Sequence, residues 1–271
     1  MANTSDPVAI AVAQFAPGDD KEANLASIRD LATAAAARGA QLVVFPEYSS
    51  FFLPLLGAES VAAAEPLDGP FRTALGVIAK VLGIHIVAGM LEASASGGRF
   101  LNTVIALDPR GALVARYRKL HLYDAFGQKE SDWVEPGAIE EPEVFDVGAL
   151  TVGLQTCYDL RFPEVTRRVV DAGAQLVLVP SEWVRGPLKE AHWRTLITAR
   201  ALENTVYVAA ADHAPPIGVG NSMIVDPMGV ELVTIGETTD VAIGWLTASR
   251  IDDARATNPA LALRRFGVHE R

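Results

Sequence analysis

A chain of 271 residues, half of them hydrophobic, can bury a large core and does not have the composition of a disordered protein. A net charge of −10 without a basic run argues against binding nucleic acid or an anionic membrane. The single cysteine rules out an intrachain disulfide and fits a reducing, cytoplasmic setting, and neither residues 1–7 nor any later run has the make-up of a signal peptide or membrane span.

In chain order, residues 8–15 read as a strand buried on both faces. Residues 20–38 set Leu25, Ile28, Leu31 and Ala35 at helical spacing, and Gly39 ends that helix. Residues 41–45 form a second buried strand, closed by Pro46 and followed at once by Glu47. An apolar loop or short helix fills 51–64, a helix opened by Pro70 covers 69–82, and strands follow at 84–91, 102–107 and 113–117, the last leading to Lys119. Residues 120–142, with Gly127, Pro136, Gly137 and Pro142, read as a long functional loop. Strands at 143–147 and 151–156 lead to Cys157, and a helix carrying Pro163 near its start runs to Gly173. The rest reads as a strand at 175–179, a helix at 188–203, strands at 205–211, 218–225, 230–235 and 241–246, and a short helix with a polar tail over 247–271.

Two segments recur. Gly39-Ala-Gln-Leu-Val-Val-Phe-Pro46 matches Gly173-Ala-Gln-Leu-Val-Leu-Val-Pro180, and the stretch from Asn102 to Gly111 resembles that from Asn221 to Gly229 with one residue fewer. A period this long is no solenoid. It predicts two similar α/β halves whose sheets face each other with helices outside. The expected fold is α/β, a four-layer α-β-β-α sandwich of two pseudo-symmetric halves, forming one domain over 1–271. Glu47 and Ser181 then occupy related strand ends.

Cys157 lies where a strand turns sharply into a helix. Unpaired N–H groups at such a helix start favour a thiolate or bind an oxyanion. For a cysteine nucleophile, Glu47 is a candidate base. Lys119 and the backbone N–H of Tyr158 are candidate oxyanion donors, and Glu130 is a second carboxylate able to orient Lys119 and the attacking water. A Cys–His hydrolase is the weaker alternative, since none of the five histidines sits in a recognisable context. His121 reads as an orienting residue beside Lys119, and His192 and Trp193 as helix packing. No metal-ligand spacing and no phosphate-binding fingerprint is present, so neither a metal nor another cofactor is expected.

Phe45-Pro46-Glu47, Arg118-Lys-Leu-His-Leu-Tyr-Asp124, Glu130-Ser131, Thr156-Cys-Tyr-Asp-Leu-Arg-Phe-Pro-Glu164, His192-Trp193, Ala199-Arg-Ala-Leu-Glu-Asn204 and Gly220-Asn-Ser-Met-Ile-Val-Asp-Pro227, in this order, resemble the nitrilase superfamily of carbon–nitrogen hydrolases along essentially the whole chain. The pattern looks closest to the Nit branch of amidases, which includes omega-amidase and deaminated glutathione amidase. The resemblance implies a Glu47–Lys119–Cys157 triad with Glu130 as the second glutamate. It also implies a homodimer, possibly a higher homo-oligomer, formed through helices next to the nucleophile. Mixed faces on the helices after Cys157 and Leu188, and Arg264-Arg-Phe266 in the tail, place those helices and the 247–271 tail at the interface. The reaction expected is one through a thioester. An amidase acting on a small carboxylate-bearing amide is the first reading. An N-carbamoyl amidohydrolase, a nitrilase and a non-enzymatic binding or scaffold member are the alternatives. The loop from Ser181 to Pro187 departs from the Nit pattern, so Glu182, Trp183 and Arg185 are the candidate substrate contacts. Arg185 is the candidate for a substrate carboxylate, and Arg161 is expected to brace the Cys157 turn through Asp159 or Glu164.

Overall fold

The computed structural model describes residues 6–270. Strands β1 (Val8–Gln14), β2 (Leu42–Val44) and β3 (His85–Ala93) run parallel, and β4 (Phe100–Leu107) and β5 (Leu113–Arg118) extend the sheet antiparallel. The two-residue β6 (Val134–Glu135) pairs with the start of β4. In the second sheet β7 (Val144–Val147) lies antiparallel to β8 (Leu150–Leu154). There β8, β9 (Leu176–Pro180) and β10 (Tyr207–Ala211) are parallel, while β11 (Met223–Val225) and β12 (Glu231–Thr234) follow antiparallel. The chain then returns as β13 (Asp240–Leu246), antiparallel to β1 at the edge of the first sheet. Strand for strand, β13-β1-β2-β3-β4-β5 repeats β7-β8-β9-β10-β11-β12, so the duplicated segments of the sequence are duplicated in space.

Helices cover the outer faces. In the first half α1 (Lys21–Ala37) and α3 (Pro70–Leu82) do so, with the short α2 (Ala58–Ala63) between them in the chain. Asp20 caps α1 by accepting from the N–H groups of Glu22 and Ala23, and α3 starts at a proline and ends at left-handed Gly83. In the second half α4 (Pro163–Asp171) and α5 (Lys189–Asn204) play the same part, and α6 (Ala248–Thr257) follows β13. Between the sheets, Ile10, Val12, Val44 and Val87 meet Val152, Leu154, Leu178 and Ala209. The opposite faces of the same strands pack outward, Ala11, Val43 and Ile86 against Ile28 and Leu75, and Val177 and Val208 against Trp193 and Ile197. Cutting such a buried leucine to alanine costs about 2–5 kcal/mol, the lost transfer energy plus the cavity. The four layers are therefore α-β-β-α.

Three local readings change. The strand expected at 218–225 shrinks to β11, because Gly220 and Asn221 take left-handed backbone (φ +64° and +56°) and Ser222 is tied across the sandwich to the Gln14 side chain. The 120–142 loop contains a 3-10 turn, Glu130–Asp132, besides β6. A further 3-10 turn, Cys157–Arg161, separates β8 from α4. Beyond α6 the tail folds back on its own chain: Arg264 pairs with Asp171 at the end of α4 at 2.7 Å, and Leu261 packs against the α4–α5 cluster. Residues 1–5 and residue 271, which fall in the segments read for a leader and a tail, lie outside the described residues. Among the described residues no helix is long and apolar enough to cross a membrane.

Candidate active site

The parallel strands β2 and β9 end close together, and the site is built where they do. Pro46 stops the β2 ladder, since it has no N–H to donate. Gly89 on β3 lets the next turn of chain come close: a Cβ there would lie 2.7 Å from the Glu47 Cα. Glu47 is only 1% exposed, yet both its carboxylate oxygens and its carbonyl are met. Its Oε1 accepts from Asn102 Nδ2 at 2.6 Å and from Lys119 Nζ at 2.9 Å, and its Oε2 accepts from the Glu182 N–H at 2.7 Å. Its carbonyl accepts from His213 Nε2 at 2.7 Å. A carbonyl can only accept, so that nitrogen carries the hydrogen. Burial pushes the His213 imidazole down to about 4, so the ring is neutral.

Lys119 follows β5 directly and is 2% exposed. Burial alone would lower its pKa, but the charges of Glu130 and Glu47 outweigh that and hold the ammonium well above the usual lysine range. The Lys119 Nζ lies 2.9 Å from a Glu130 oxygen. Glu130 in turn accepts from the Tyr48 hydroxyl at 2.6 Å, from Asn102 Nδ2 at 3.2 Å and from the Tyr123 N–H. Removing one charged member of such a buried ion network leaves an uncompensated charge, a loss of about 3–5 kcal/mol.

Cys157 opens the 3-10 turn after β8 with φ +43°, and its Sγ donates to the Glu182 carbonyl at 3.4 Å. The Tyr158 N–H belongs to the first residues of that turn, where donors lack an intrahelical acceptor. The expected resting thiolate is not what the site favours. Burial and the Glu47 charge push the Cys157 thiol well above its ordinary value, with Lys119 pulling the other way. A 3-10 turn of five residues offers too few aligned peptides to reverse this. The proton therefore stays on sulfur until a base takes it.

These groups sit at one end of a cavity of about 390 Å³, walled by Phe52, Leu53, Trp133 and Ile217 and by Glu182, Arg161 and Lys189. Glu47 lies just behind it, reached through Lys119 and the Glu182 peptide. Trp183, another predicted contact, lines the cavity but is 3% exposed and chiefly braces the wall, its Nε1 donating to the Lys189 carbonyl at 3.0 Å. Glu182 faces the cavity with its carboxyl pushed up by burial and by Glu47. Arg185 does not line the cavity. Its guanidinium is drawn over the surface to Glu237 and Glu190. Arg161 does not brace the turn through Asp159 or Glu164. Asp159 is already taken by the Tyr117 hydroxyl and by His121, whose ring stacks on Phe162, and Arg161 turns into the cavity instead. Tyr48, Asn102, His213 and Lys189 were not singled out by sequence. Only Asn102 carried a signal, as the first residue of the repeated segment that recurs at Asn221.

A match to the carbon-nitrogen hydrolase family extends over residues 9–256. The chain belongs to that family. This carbon-nitrogen hydrolase is 38% identical over 269 residues to a deaminated glutathione amidase of Escherichia coli O157:H7, covering 95% of this chain and 97% of that protein. Its fold matches the C. elegans NitFhit protein with a TM-score of 0.88 and 30% identity, over 98% of this chain and 66% of that one. It also matches an amidase from Nesterenkonia sp. AN1 (TM-score 0.78, 28% identity, 97% of this chain and 99% of that one), in a glutamine-for-glutamate variant with the acetamide moiety of fluoroacetamide added covalently at its active-site cysteine.

Proposed function

We propose that this carbon-nitrogen hydrolase releases ammonia from a small carboxylate-bearing amide through a thioester on Cys157. One observation carries the reading. The main chain of Glu182 donates its N–H to Glu47 and accepts at its carbonyl from the Cys157 thiol, so one residue's backbone holds base and nucleophile together beside the Lys119 ammonium. Glu47 takes the thiol proton as sulfur attacks the amide carbon. Lys119 and the Tyr158 N–H receive the charge developing on oxygen. The C–N bond then breaks, and Glu47 returns the proton to the departing nitrogen, leaving ammonia and the acyl thioester. Water, deprotonated by Glu47 and oriented with Glu130, attacks the thioester. The acid leaves, and the proton goes back to sulfur. The cysteine adduct in the Nesterenkonia amidase and the amide named for the E. coli relative support this chemistry.

A panel of short amides, ureido acids and nitriles, read by ammonia release, tests it. Amides should yield ammonia and the acid. Carbon dioxide released with ammonia from ureido acids alone would replace the reading with a carbamoyl hydrolase, and no turnover of any compound would favour a binding protein. Cys157→Ala should abolish turnover, by about 10³-fold or more, while unfolding at a temperature close to the parent's. We also read the protein as a cytoplasmic homodimer. The lone cysteine suits the first, and the prevalence of isologous pairs supports the second. A monomer in light scattering at micromolar concentration would overturn the assembly.

A further inference from the structure

One buried acid has no part in the chemistry described so far. Asp212 follows β10 directly and is fully buried. Its Oδ1 accepts from the Trp183 N–H at 2.6 Å, and its Oδ2 has no hydrogen-bond partner among the described residues. The residue itself is tied into both sheets. Its N–H donates to Ser222 Oγ at 2.9 Å, and that hydroxyl donates to the side chain of Gln14, the last residue of β1, at 2.7 Å. Beside it, the Ala211 carbonyl accepts from the Ser181 N–H at 2.8 Å.

The Trp183 N–H and the Glu182 carbonyl are the two ends of one peptide group. Such a group is planar and trans, so its N–H and C=O point in opposite directions. One end is fastened to Asp212, and the other receives the Cys157 thiol at 3.4 Å. The chain beyond is held differently. The Trp183 carbonyl accepts from the Val219 N–H at 2.9 Å, and the Arg185 N–H donates to the Ile217 carbonyl at 3.0 Å. The Glu182–Trp183 peptide therefore takes its orientation from the Asp212 carboxyl rather than from a strand ladder. Burial pushes that carboxyl well above the usual carboxylate range; the Trp183 and His213 N–H groups oppose this, and Glu182 and Glu47 add to it. Asp212 is thus a neutral acceptor that adds no charge beside Glu47.

We propose that Asp212 is a positioning residue for the nucleophile: it sets the plane of the Glu182–Trp183 peptide and so aims the oxygen that holds the Cys157 sulfur beside Glu47. The inference rests on Cys157 as the nucleophile and deepens that reading. Without an acceptor at position 212 the Trp183 N–H is left buried and unpaired, which a folded chain avoids. The peptide then turns about its flanking bonds toward another partner, and its oxygen leaves the thiol. A sulfur displaced by about 1 Å from its line of attack loses on the order of 100-fold in rate.

The single cysteine gives one S–H stretching band in the infrared, and that band moves to lower frequency as the thiol donates a stronger hydrogen bond. Asp212→Leu, which keeps the bulk and removes the acceptor, should move the band to higher frequency. It should also lower kcat about 10- to 100-fold, with KM for a short amide within about threefold of the parent. Asp212→Asn, whose amide oxygen reaches as far, should restore the band and most of kcat. Should Asp212→Leu fail to fold, Asp212→Ser, too short to reach the Trp183 N–H, carries the same expectation. A merely structural Asp212 would lower the urea midpoint of these variants while leaving the band and the kcat of folded protein unchanged, and that result overturns the proposal. A loss of kcat with an unmoved band overturns it too. An Asp212-dependent band in a protein that hydrolyses no amide would keep the hold on the sulfur and discard the reaction. Parental turnover and an unmoved band in Asp212→Leu would discard the positioning role alone.

Discussion

In the first half of the sandwich, β2 runs out into Glu47, whose side chain and carbonyl are fixed by Asn102, Lys119, the Glu182 N–H and His213. In the second half the equivalent β9 runs out into Ser181 and Glu182, and there the backbone reaches the reacting groups while the side chains form the pocket wall. The two sheets share one strand order, yet one half supplies rigid charge and the other supplies the nucleophile and an adaptable surface. Opposed strand ends are what the duplicated architecture provides. On the second side the polar atoms that reach Glu47 and Cys157 are the backbone N–H and carbonyl of Glu182, groups that do not depend on the side chain there.

The sharpest break of that division is Glu47→Gln. Glutamine preserves the shape and removes the base, so turnover should fall about 10³-fold. Stopped-flow or overnight ammonia assays would show it, and a loss below tenfold would mean that the first half does not own the proton chemistry. Next in size is the contact that crosses the halves. His213 titrates at about 4 in the folded protein against 6.5 unfolded. Between these values the unfolded chain binds the extra proton, so stability should fall as pH drops from 6.5 toward 4, by roughly 3 kcal/mol in all. Urea midpoints across that window should slope for the parent and flatten for His213→Gln. A parallel slope in both would assign the acid sensitivity elsewhere.

A smaller effect should come from Tyr48→Phe. Glu130 loses one of its buried donors but keeps Lys119, Asn102 and the Tyr123 amide. We expect about a tenfold drop in kcat with little change in KM, about 1–1.5 kcal/mol. A KM-only change would place Tyr48 in substrate binding instead. The smallest effect belongs to Arg185→Ala. Its partners Glu190 and Glu237 are solvent-exposed, so stability should move by under ~0.5 kcal/mol and KM for an acidic amide by less than about twofold. A tenfold rise in KM would restore Arg185 to the pocket.

Much of this was legible in one dimension. Hydrophobic runs ending in Pro46 and Pro180 gave the facing strands, the repeated segments gave the duplicated sheets, and the motifs around Glu47, Lys119, Glu130 and Cys157 named the groups that meet. Tyr48 and His213 were not legible, and Asn102 only as the head of a repeated segment, because each acts on a residue remote in sequence, across strands or sheets, and a buried polar residue looks the same whether or not a carboxylate waits opposite. The two arginines were exchanged for a related reason. Arg161 lines the cavity while Asp159 is taken by Tyr117 and His121, and Arg185 lies over the surface where the chain before β13 brings Glu237 beside it. Neither turn geometry nor a distant counter-ion is written in the local pattern.

The backbone of Cys157 carries a further consequence. A side chain at φ +43° is held in a region where only glycine rests without penalty, at a standing cost of about 1–2 kcal/mol. Glycine at 157 would relieve that strain while removing the sulfur. Loss of the buried side chain and the greater freedom of glycine in the unfolded chain offset that relief, so the substitution serves chiefly a crystallographer who wants an unreacted amide held in the pocket.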